Sequence, residues 1–386
     1  MLPLPILGWA LLAVAGVGVA YALAAAELTA AHLRRVEPAP ADYPALTVLK
    51  PLHGAAPGLR EDLETLCRQD YPGPLQIVFG VQDHADPAIG VVEAIRAAHL
   101  ALDIALVVDP TVYGHNRKVS NLVNMMRAAR HDVLVQSDAD IAVPPGYLRR
   151  LAASLAAPGV GAATCLYVGR RRSRGAWAAL SALGVDQHFL PNVLLALRLG
   201  MAEPCFGSTI ALPRRVLEQI GGFQAFNDYL ADDYEIGRAV RRQGWHIAMP
   251  PFVVEHACAE ATAREFFTHE FRWGRTVRLL DPAGFVGLIV TNPLPLALLG
   301  ALLVERPAGW VVASAALLAR LYLGERVARA TGGRAGPPWL TPWRDIVTLI
   351  IYLGSFNASY VQWGGARFRV DPRGAMIPRD GPHQPG

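Results

Sequence analysis

Residues 133–141 read Val-Leu-Val-Gln-Ser-Asp-Ala-Asp-Ile, an apolar run that ends in two aspartates. The run at 133–136 predicts a short buried strand, and Asp138 and Asp140 follow it. Side chains at i and i+2 of an extended segment point to the same side, so these two carboxylates can act together. Oxygen ligands suit a hard divalent cation, Mg²⁺ or Mn²⁺, which also binds a diphosphate. The spacing therefore predicts a metal and diphosphate site.

Upstream of this stretch, short apolar runs alternate with amphipathic segments. Strands are predicted at 45–49, 75–81, 104–108 and 133–136, and helices at 59–68, 87–100 and 119–130. This alternation indicates an α/β domain with a mostly parallel sheet and helices on both faces. Ligands bind such sheets beyond the carboxyl ends of the strands, where Asp83, Asp109 and Asp138 fall. One such aspartate is more often a cap or turn residue, and only their combination favours a site.

Two polar groups flank predicted helices. Lys118 precedes the helix at 119–130 and is placed either to bind phosphate or uracil or to face solvent. Asp233 lies in the first turn of a helix that we predict to run from 232 to 243. Acids there complement the helix dipole, so capping is the plain alternative. The functional interpretation makes Asp233 a general base that takes the proton from an acceptor hydroxyl.

Residues 262–280 combine arginines with aromatic side chains at helical spacing. This mixture predicts an interfacial helix along the cytoplasmic leaflet, or an ordinary amphipathic helix packed on the sheet. Arg272 is placed to stabilise a diphosphate leaving group. Trp273 is placed to stack on a sugar or on the acceptor.

The chain of 386 residues is 52% hydrophobic and only 18% charged, whereas about a quarter of the residues of a globular domain are charged. Residues 6–26 carry no charge and have the length of a membrane-spanning helix. A cleaved signal peptide would have a basic start, but here Arg34 and Arg35 follow the apolar run. Basic residues mark the cytoplasmic flank, so we expect an uncleaved anchor and a cytoplasmic central domain.

Three more apolar segments, at 283–304, 308–323 and 346–361, favour C-terminal membrane spans over buried helices of a soluble protein. If the last one spans, the basic tail lies outside, against the charge rule. We divide the chain into an anchor (1–30), a catalytic domain (40–262), an interfacial helix (263–281), membrane segments (282–363) and a Pro/Arg-rich tail (364–386).

Composition also excludes several classes of function. The four cysteines have no zinc-site spacing. No Gly-x-Gly-x-x-Gly follows the first strand, and no Walker sequence is present, which disfavours a dinucleotide enzyme or an ATPase. The net charge of +4 and the pI of about 9.0 do not predict a nucleic-acid partner, because many arginines flank apolar segments and suit anionic lipid head groups.

Three stretches together resemble the ceramide glucosyltransferase family, glycosyltransferase family 21, within the family-2-like group of GT-A enzymes. They are residues 81–89 (VQDHADPAI), residues 116–122 (NRKVSNL) and the Arg272-Trp273 pair. The resemblance covers 45–280 and the flanking apolar segments. It implies a GT-A fold, an α/β Rossmann-like mixed sheet, with one N-terminal and about three C-terminal transmembrane segments.

The resemblance also implies roles for individual residues. Asp83 would bind the nucleotide, and Asp138 the metal and the diphosphate. By their own positions, Lys118 and Asp232 are further candidates for binding the nucleotide sugar, and Asp140 is a further candidate for binding the metal. Asp233 would be the base. Arg272 and Trp273 end a Gln/Arg-x-x-Arg-Trp motif whose first position is His269 here. The acceptor-side candidates are Cys205 and His269.

The activity implied is inverting transfer of a sugar from a UDP-sugar to a hydroxyl of a membrane lipid, at the cytoplasmic face of a bacterial inner membrane. The Ala-, Arg-, Gly- and Pro-rich composition is typical of a bacterial protein. Among bacterial members, the resemblance favours the hopanoid-linked branch, which implies transfer of N-acetylglucosamine or glucose to a hopanoid such as bacteriohopanetetrol. A ceramide glucosyltransferase is the alternative. A polysaccharide synthase is more distant, because few spans are predicted, and an inactive lipid-binding scaffold conflicts with the aspartates present.

Overall fold

The structure, a computed structural model, describes residues 4–333, 337–357, 360–363, 366–371 and 374–378. The strands of this described part are, in chain order, β1 Leu46–Pro51, β2 Leu75–Val81, β3 Asp103–Val108, β4 Val133–Gln136, β5 Ile141–Ala142, β6 Val160–Thr164, β7 Leu166–Arg171, β8 Ile210–Pro213, β9 His246–Ala248, β10 Val253–Cys258, β11 Tyr360–Trp363, β12 Ala366–Val370 and β13 Met376–Pro378.

The α-helices are α1 Leu4–Leu33, α2 Leu59–Cys67, α3 Ala88–Ala98, α4 Arg117–Met125, α5 Tyr147–Leu155, α6 Ala176–Gly184, α7 Leu190–Arg198, α8 Arg214–Gln219, α9 Asp232–Arg242, α10 Ala263–Leu280, α11 Pro282–Gly287, α12 Pro293–Val304, α13 Pro307–Ala330 and α14 Thr341–Gly354. A π-helical turn, Val185–Phe189, joins α6 to α7.

The large sheet has the order β3-β2-β1-β4-β8-β6-β9. Strands β1 to β4 pair in parallel, whereas β8 runs antiparallel to both β4 and β6. The strands β1 and β2 are buried almost throughout, as expected for apolar runs with helices on both faces. The mixed α/β sheet predicted from the sequence is therefore confirmed. Its carboxyl edge brings the loops after β1, β2 and β4 together.

A small sheet, β5-β10-β7, lies beside that edge. Strand β10 pairs with β5 antiparallel, His256 opposite Ile141, and with β7 in parallel, His256 opposite Gly169. Ala257 N–H also donates to Asp140 O at 2.9 Å. This pairing holds a distant strand against the aspartate-bearing loop.

Most predicted boundaries agree with the structure, including β4 at 133–136. The helix predicted at 119–130 ends at Met125, however. Arg130 N–H donates to Gln76 Oε1 and His131 N–H to Thr47 Oγ1, so the chain leaves the helix to bond polar side chains of the sheet. In a continued helix these two N–H groups would donate to the carbonyl four residues earlier. Here the side-chain oxygens of Gln76 and Thr47 accept them instead.

Among the described residues, α1 and α13 are long and apolar enough to cross a membrane. The segments Pro282–Thr291 and Pro293–Val304 are bent by 66° and make a third span only if the bent pair crosses as one. The bend falls at Asn292, and Pro293 occupies the first helical position, where proline is tolerated. An N-terminal helix with the length and composition of a membrane span is therefore present, as predicted, whereas three C-terminal spans are not confirmed.

In the described part of the third C-terminal segment, predicted at 346–361, the α-helix α14 has 14 residues in all and is followed by a 3-10 turn, Ser355–Asn357. A spanning helix needs about 20. The tail then returns to the catalytic domain: Met376 N–H donates to Asp228 O, and Leu230 N–H donates to Gly374 O. The described tail residues form β12 and β13 beside the loop before α9. They therefore lie on the same side as the catalytic domain, which removes the charge-rule conflict.

Candidate active site

Asp138 lies on the turn that follows β4. Its N–H donates to Gly207 O at 3.2 Å, and Gln136 Nε2 donates to Asp138 Oδ1 at 3.3 Å. A Cβ on Gly207 would lie 2.6 Å from Asp138 Oδ2 and 3.0 Å from Lys118 Nζ. Glycine at this position therefore lets the carboxylate and the ammonium lie directly against the loop.

Lys118 lies in the first turn of α4 and reaches two carboxylates. Its Nζ is 2.7 Å from Asp138 Oδ1 and 3.1 Å from Asp232 Oδ2. Asn116 caps the helix, and its Nδ2 donates to Asp232 Oδ1 at 3.2 Å. Burial lowers the pKa of Lys118, but Asp138, Asp232 and Asp233 outweigh burial and raise it overall. The ammonium is therefore held charged among carboxylates, where it can also bind phosphate oxygens.

Asp233 lies in the first turn of α9, with its carboxylate fixed by two backbone donors. Gly207 N–H donates to Oδ2 and Tyr234 N–H to Oδ1, both at 2.8 Å. Burial and the neighbouring Asp232 raise the pKa of Asp233 to about 6, against the opposing effect of Lys118 and the two backbone donors. A carboxylate with a pKa near neutrality suits a general base.

The sequence analysis missed His256, which lies on β10. Its Nε2 is 3.2 Å from Asp140 Oδ2, and its side chain is buried. Burial would lower the pKa of His256, but Asp140 raises it well above its ordinary value. His256 in turn lowers the pKa of Asp140, although burial alone would raise that pKa. A lone histidine in a strand has no spacing signal in one sequence, and only the β5–β10 pairing reveals it.

Helix α10 brings three predicted side chains to the same edge. His269 Nδ1 lies 2.6 Å from Glu260 Oε1, and the ring of His269 packs edge-on against Trp273 at 4.6 Å. Trp273 lies 5.8 Å from His256 between ring centroids. Burial lowers the pKa of Arg272, while the nearby charges of Asp140 and Asp138 counteract the shift. The structure therefore gathers the Arg-Trp pair and the Asp-x-Asp pair into one site.

Other predicted residues lie elsewhere. Asp83 is exposed after β2, where its Oδ1 accepts from Ala85 N–H. Because β2 is two strands from β4, Asp83 lies roughly 10 Å along the same edge. Asp109 is paired with Arg127 and caps Thr111 N–H, which is a structural role.

Cys205 is buried against α9, where a Cβ on Gly237 would lie 2.5 Å from the Cys205 Cβ. Burial raises the pKa of its thiol far above the ordinary value. Cys205 therefore supports the helix that carries Asp233, and its side chain faces the core.

The donor set suits a divalent cation. Asp138 and Asp140 offer carboxylate oxygens and His256 an imidazole nitrogen, while Gly207 leaves the space that a Cβ would fill. Burial raises the pKa of Asp138, and Asp140 and Asp232 raise it further, so negative charge is in excess here. Within the described residues, no three such side chains already converge on one point. Asp138 faces Lys118 and Asp140 faces His256 instead.

The fold is shared with known enzymes. A mannosyltransferase from Pyrobaculum calidifontis, solved with GDP-mannose and Mn²⁺, superposes with a TM-score of 0.51, covering 92% of this chain and 99% of that one at 24% identity. This likeness establishes a GT-A-like fold.

The chain belongs to glycosyl transferase family 21, whose profile matches residues 10–376. Ceramide glucosyltransferase 1 of Caenorhabditis elegans is 25% identical over 260 residues, which are 67% of this chain and 54% of that protein. The ceramide glucosyltransferase of Komagataella phaffii is 31% identical over 121 residues, 30% of this chain and 24% of that one. The chain thus spans about half the length, or less, of these curated relatives.

Proposed function

We propose that this protein transfers a sugar, N-acetylglucosamine or glucose, from a UDP-sugar to a hydroxyl of a membrane lipid with inversion at the anomeric carbon. The observation that carries the proposal is Asp233, half-buried and held by Gly207 N–H and Tyr234 N–H, with Asp232 as its neighbour in the chain. Its raised pKa and fixed orientation fit a base at the end of a phosphate-binding edge.

The reaction is a single displacement. The acceptor oxygen forms a bond to the anomeric carbon while the bond from that carbon to the diphosphate oxygen breaks. The hydroxyl proton moves to an oxygen of Asp233, and the electron pair leaves with UDP. Because the site uses one base and no enzyme nucleophile, the configuration inverts.

Cationic residues of the site would act on the leaving group. Lys118 and Arg272 are placed to bind diphosphate oxygens as charge develops there. Asp138, Asp140 and His256 would hold Mg²⁺ or Mn²⁺. When bound, that ion offsets the charge of the nucleotide diphosphate. Asp83, further along the edge, would bind the nucleotide, and Trp273 would face the sugar or the acceptor.

The acceptor is proposed to be a lipid because α1 and α13 pack against the catalytic domain in one apolar cluster. We propose a cytoplasmic catalytic domain on a bacterial inner membrane. A hopanoid such as bacteriohopanetetrol is the first candidate acceptor, on the resemblance to the hopanoid-linked bacterial branch of the family. The ceramide glucosyltransferases among the relatives favour ceramide as the second candidate.

The test uses the full chain in nanodiscs with Mn²⁺. Ceramide and bacteriohopanetetrol are each offered with UDP-glucose, UDP-N-acetylglucosamine and, as a control donor, GDP-mannose, and lipid products are identified by mass spectrometry. We expect a hexose or N-acetylhexosamine on one lipid from a UDP-sugar only. Transfer from GDP-mannose alone, or no transfer to either lipid, overturns the proposed donor or acceptor class respectively.

A further inference from the structure

The π-helical turn Val185–Phe189 carries three consecutive buried polar residues, Asp186, Gln187 and His188. Turns of this type are rare and occur frequently at functional sites. This one joins α6 to α7, between the catalytic domain and the membrane helices. Each of these three polar side chains bonds to a different part of the protein.

On the membrane side, the anchor is Arg320 of α13, which is 3% exposed. Its guanidinium donates to Asp345 Oδ2 at 2.9 Å and to Gln187 O at 3.0 Å, and Nη2 lies 2.8 Å from His188 Nε2. Thr341 Oγ1 also donates to Gln187 Oε1 at 3.1 Å. One arginine thus ties α13, α14 and the π-helical turn together.

On the catalytic side, the turn is fixed to β7 and to an aromatic group. Gly169 N–H donates to Asp186 Oδ1 at 2.8 Å, and Gly169 lies opposite His256 in the small sheet. Phe189 stacks on Tyr167 at 4.2 Å between centroids and packs edge-on against Phe206 at 5.0 Å.

These rings continue to the active site. Tyr167 lies 5.6 Å from His256 and 6.5 Å from Trp273 between centroids. We call Tyr167, Phe189, Phe206 and Trp273 the aromatic wall. Its members Phe189 and Phe206 are half-buried and also pack against the apolar cluster formed by α1, α7 and α13. The wall is therefore continuous with the membrane helices at one end and with the Asp140–His256 pair at the other.

We propose that the aromatic wall binds the hydrocarbon part of the acceptor lipid next to its reactive hydroxyl, and that Arg320 and Asp345 are positioning residues that orient Phe189 through the π-helical turn. The proposal rests on the lipid-transfer function proposed above and names the acceptor subsite. A buried ion pair seldom adds net stability over apolar side chains of similar volume. Arg320 bonds to Asp345 of α14 and also to Gln187 and His188 of the π-helical turn. This arrangement is better explained by a positioning role.

The wall is tested directly with Phe189→Ala. Truncating an aromatic contact should raise the KM for the lipid about tenfold, and the KM for the UDP-sugar should change much less. An equal change in both KM values, or none, contradicts an acceptor role for the wall.

The positioning role is tested with Arg320→Met/Asp345→Leu, which removes both charges together. Its matched control is Arg326→Met/Glu27→Leu, which removes another ion pair of α13, at 2.7 Å to α1, with no bond to the π-helical turn. We expect the first variant alone to raise the lipid KM several-fold, and the rise should not add to that of Phe189→Ala. Additive effects, or an equal rise in the control, overturn the positioning role.

A readout that needs no acceptor separates this proposal from the proposed function. In a Cys67→Ser background, a thiol placed by Phe189→Cys is labelled with a maleimide, because the other three native cysteines are buried. Arg320→Met/Asp345→Leu should change the labelling rate, and Arg326→Met/Glu27→Leu should not. Unchanged labelling overturns the coupling, even if neither test lipid is a substrate. Changed labelling with an unaffected lipid KM overturns the acceptor subsite alone.

Discussion

Two clusters of charged side chains differ in their balance of charge. At the sheet edge, the carboxylates of Asp138, Asp232 and Asp233 surround one ammonium, that of Lys118. Between α13 and α14, one guanidinium faces one carboxylate: Arg320 is paired with Asp345. An excess of charges of one sign destabilises the protein unless a ligand of opposite charge binds and offsets it.

His188 adds no charge to the membrane-side cluster, because burial and the adjacent Arg320 lower its pKa to about 4. That cluster is complete without a ligand, whereas the acidic edge is not. The difference indicates that the acidic sheet edge serves ligand binding and reaction, whereas the membrane-side cluster holds α13, α14 and the π-helical turn in position. Each prediction below breaks or sharpens this contrast.

The largest effect is expected for Asp233→Asn. The amide keeps the shape of the side chain but removes the base, so kcat should fall about a hundred- to ten-thousand-fold. Binding of UDP-sugar, measured by calorimetry, should persist. Asp109→Asn, at a neighbouring strand end but outside the site, is the control and should keep nearly full activity. Full activity in Asp233→Asn would refute the assignment of the base.

A hundredfold loss is expected for Gly207→Ala. The new Cβ would lie 2.6 Å from Asp138 Oδ2, so the carboxylate must move, and a shift of about 1 Å at a reacting centre can cost about a hundredfold in rate. Gly90→Ala on α3, where no atom lies within 4 Å, is the control. Initial rates of lipid transfer measure both variants, and equal rates would show that the loop tolerates a side chain.

These two residues also show how far sequence reasoning reaches. The place of Asp233 in the first turn of a helix was predicted from a local pattern, and its role as the base stays a prediction. The contact that demands glycine at 207 depends on two side chains distant in sequence, Asp138 and Lys118, and so has no local signal. Local patterns predict elements and their polar ends, not the separations between them.

Tertiary pairing explains the remaining differences. His256 joins Asp140 only because β10 pairs with β5 across more than a hundred residues. The π-helical turn has no sequence period of its own, so no local pattern predicts it. Helix α14 was expected to approach a full span, but its buried Arg344 and Asp345 bond to Glu270 and Arg320, which holds it against the protein.

A smaller effect is expected for His256→Ala. Loss of the imidazole beside Asp140 should weaken Mn²⁺ binding roughly tenfold or more, measured by paramagnetic resonance of the protein with Mn²⁺ alone. His246→Ala on the edge strand β9 is the control. Unchanged Mn²⁺ affinity would leave His256 as a partner of Asp140 and nothing more.

The pH dependence of transfer follows from Asp233. The base must be ionised, and its pKa is raised to about 6. The value of kcat/KM should therefore be at its maximum above that pH and fall about tenfold for each pH unit below it. An ordinary aspartate would keep its activity to about pH 4. A rate that stays flat to pH 5, with UDP binding intact, would place the base elsewhere.

The smallest effect on kcat is expected at the balanced cluster. Arg320→Met alone leaves the Asp345 carboxylate buried without its cation and should cost about 3–5 kcal/mol of stability. Removing both charges in Arg320→Met/Asp345→Leu should restore stability to near that of the original protein, since apolar replacement of a buried pair is often neutral. Thermal unfolding in nanodiscs measures both variants. At the acidic edge no such pairwise rescue of activity is available, because the excess carboxylates there serve a ligand. If the double variant is as unstable as the single one, the Arg320 cluster contributes stability itself, and the contrast between the two clusters fails.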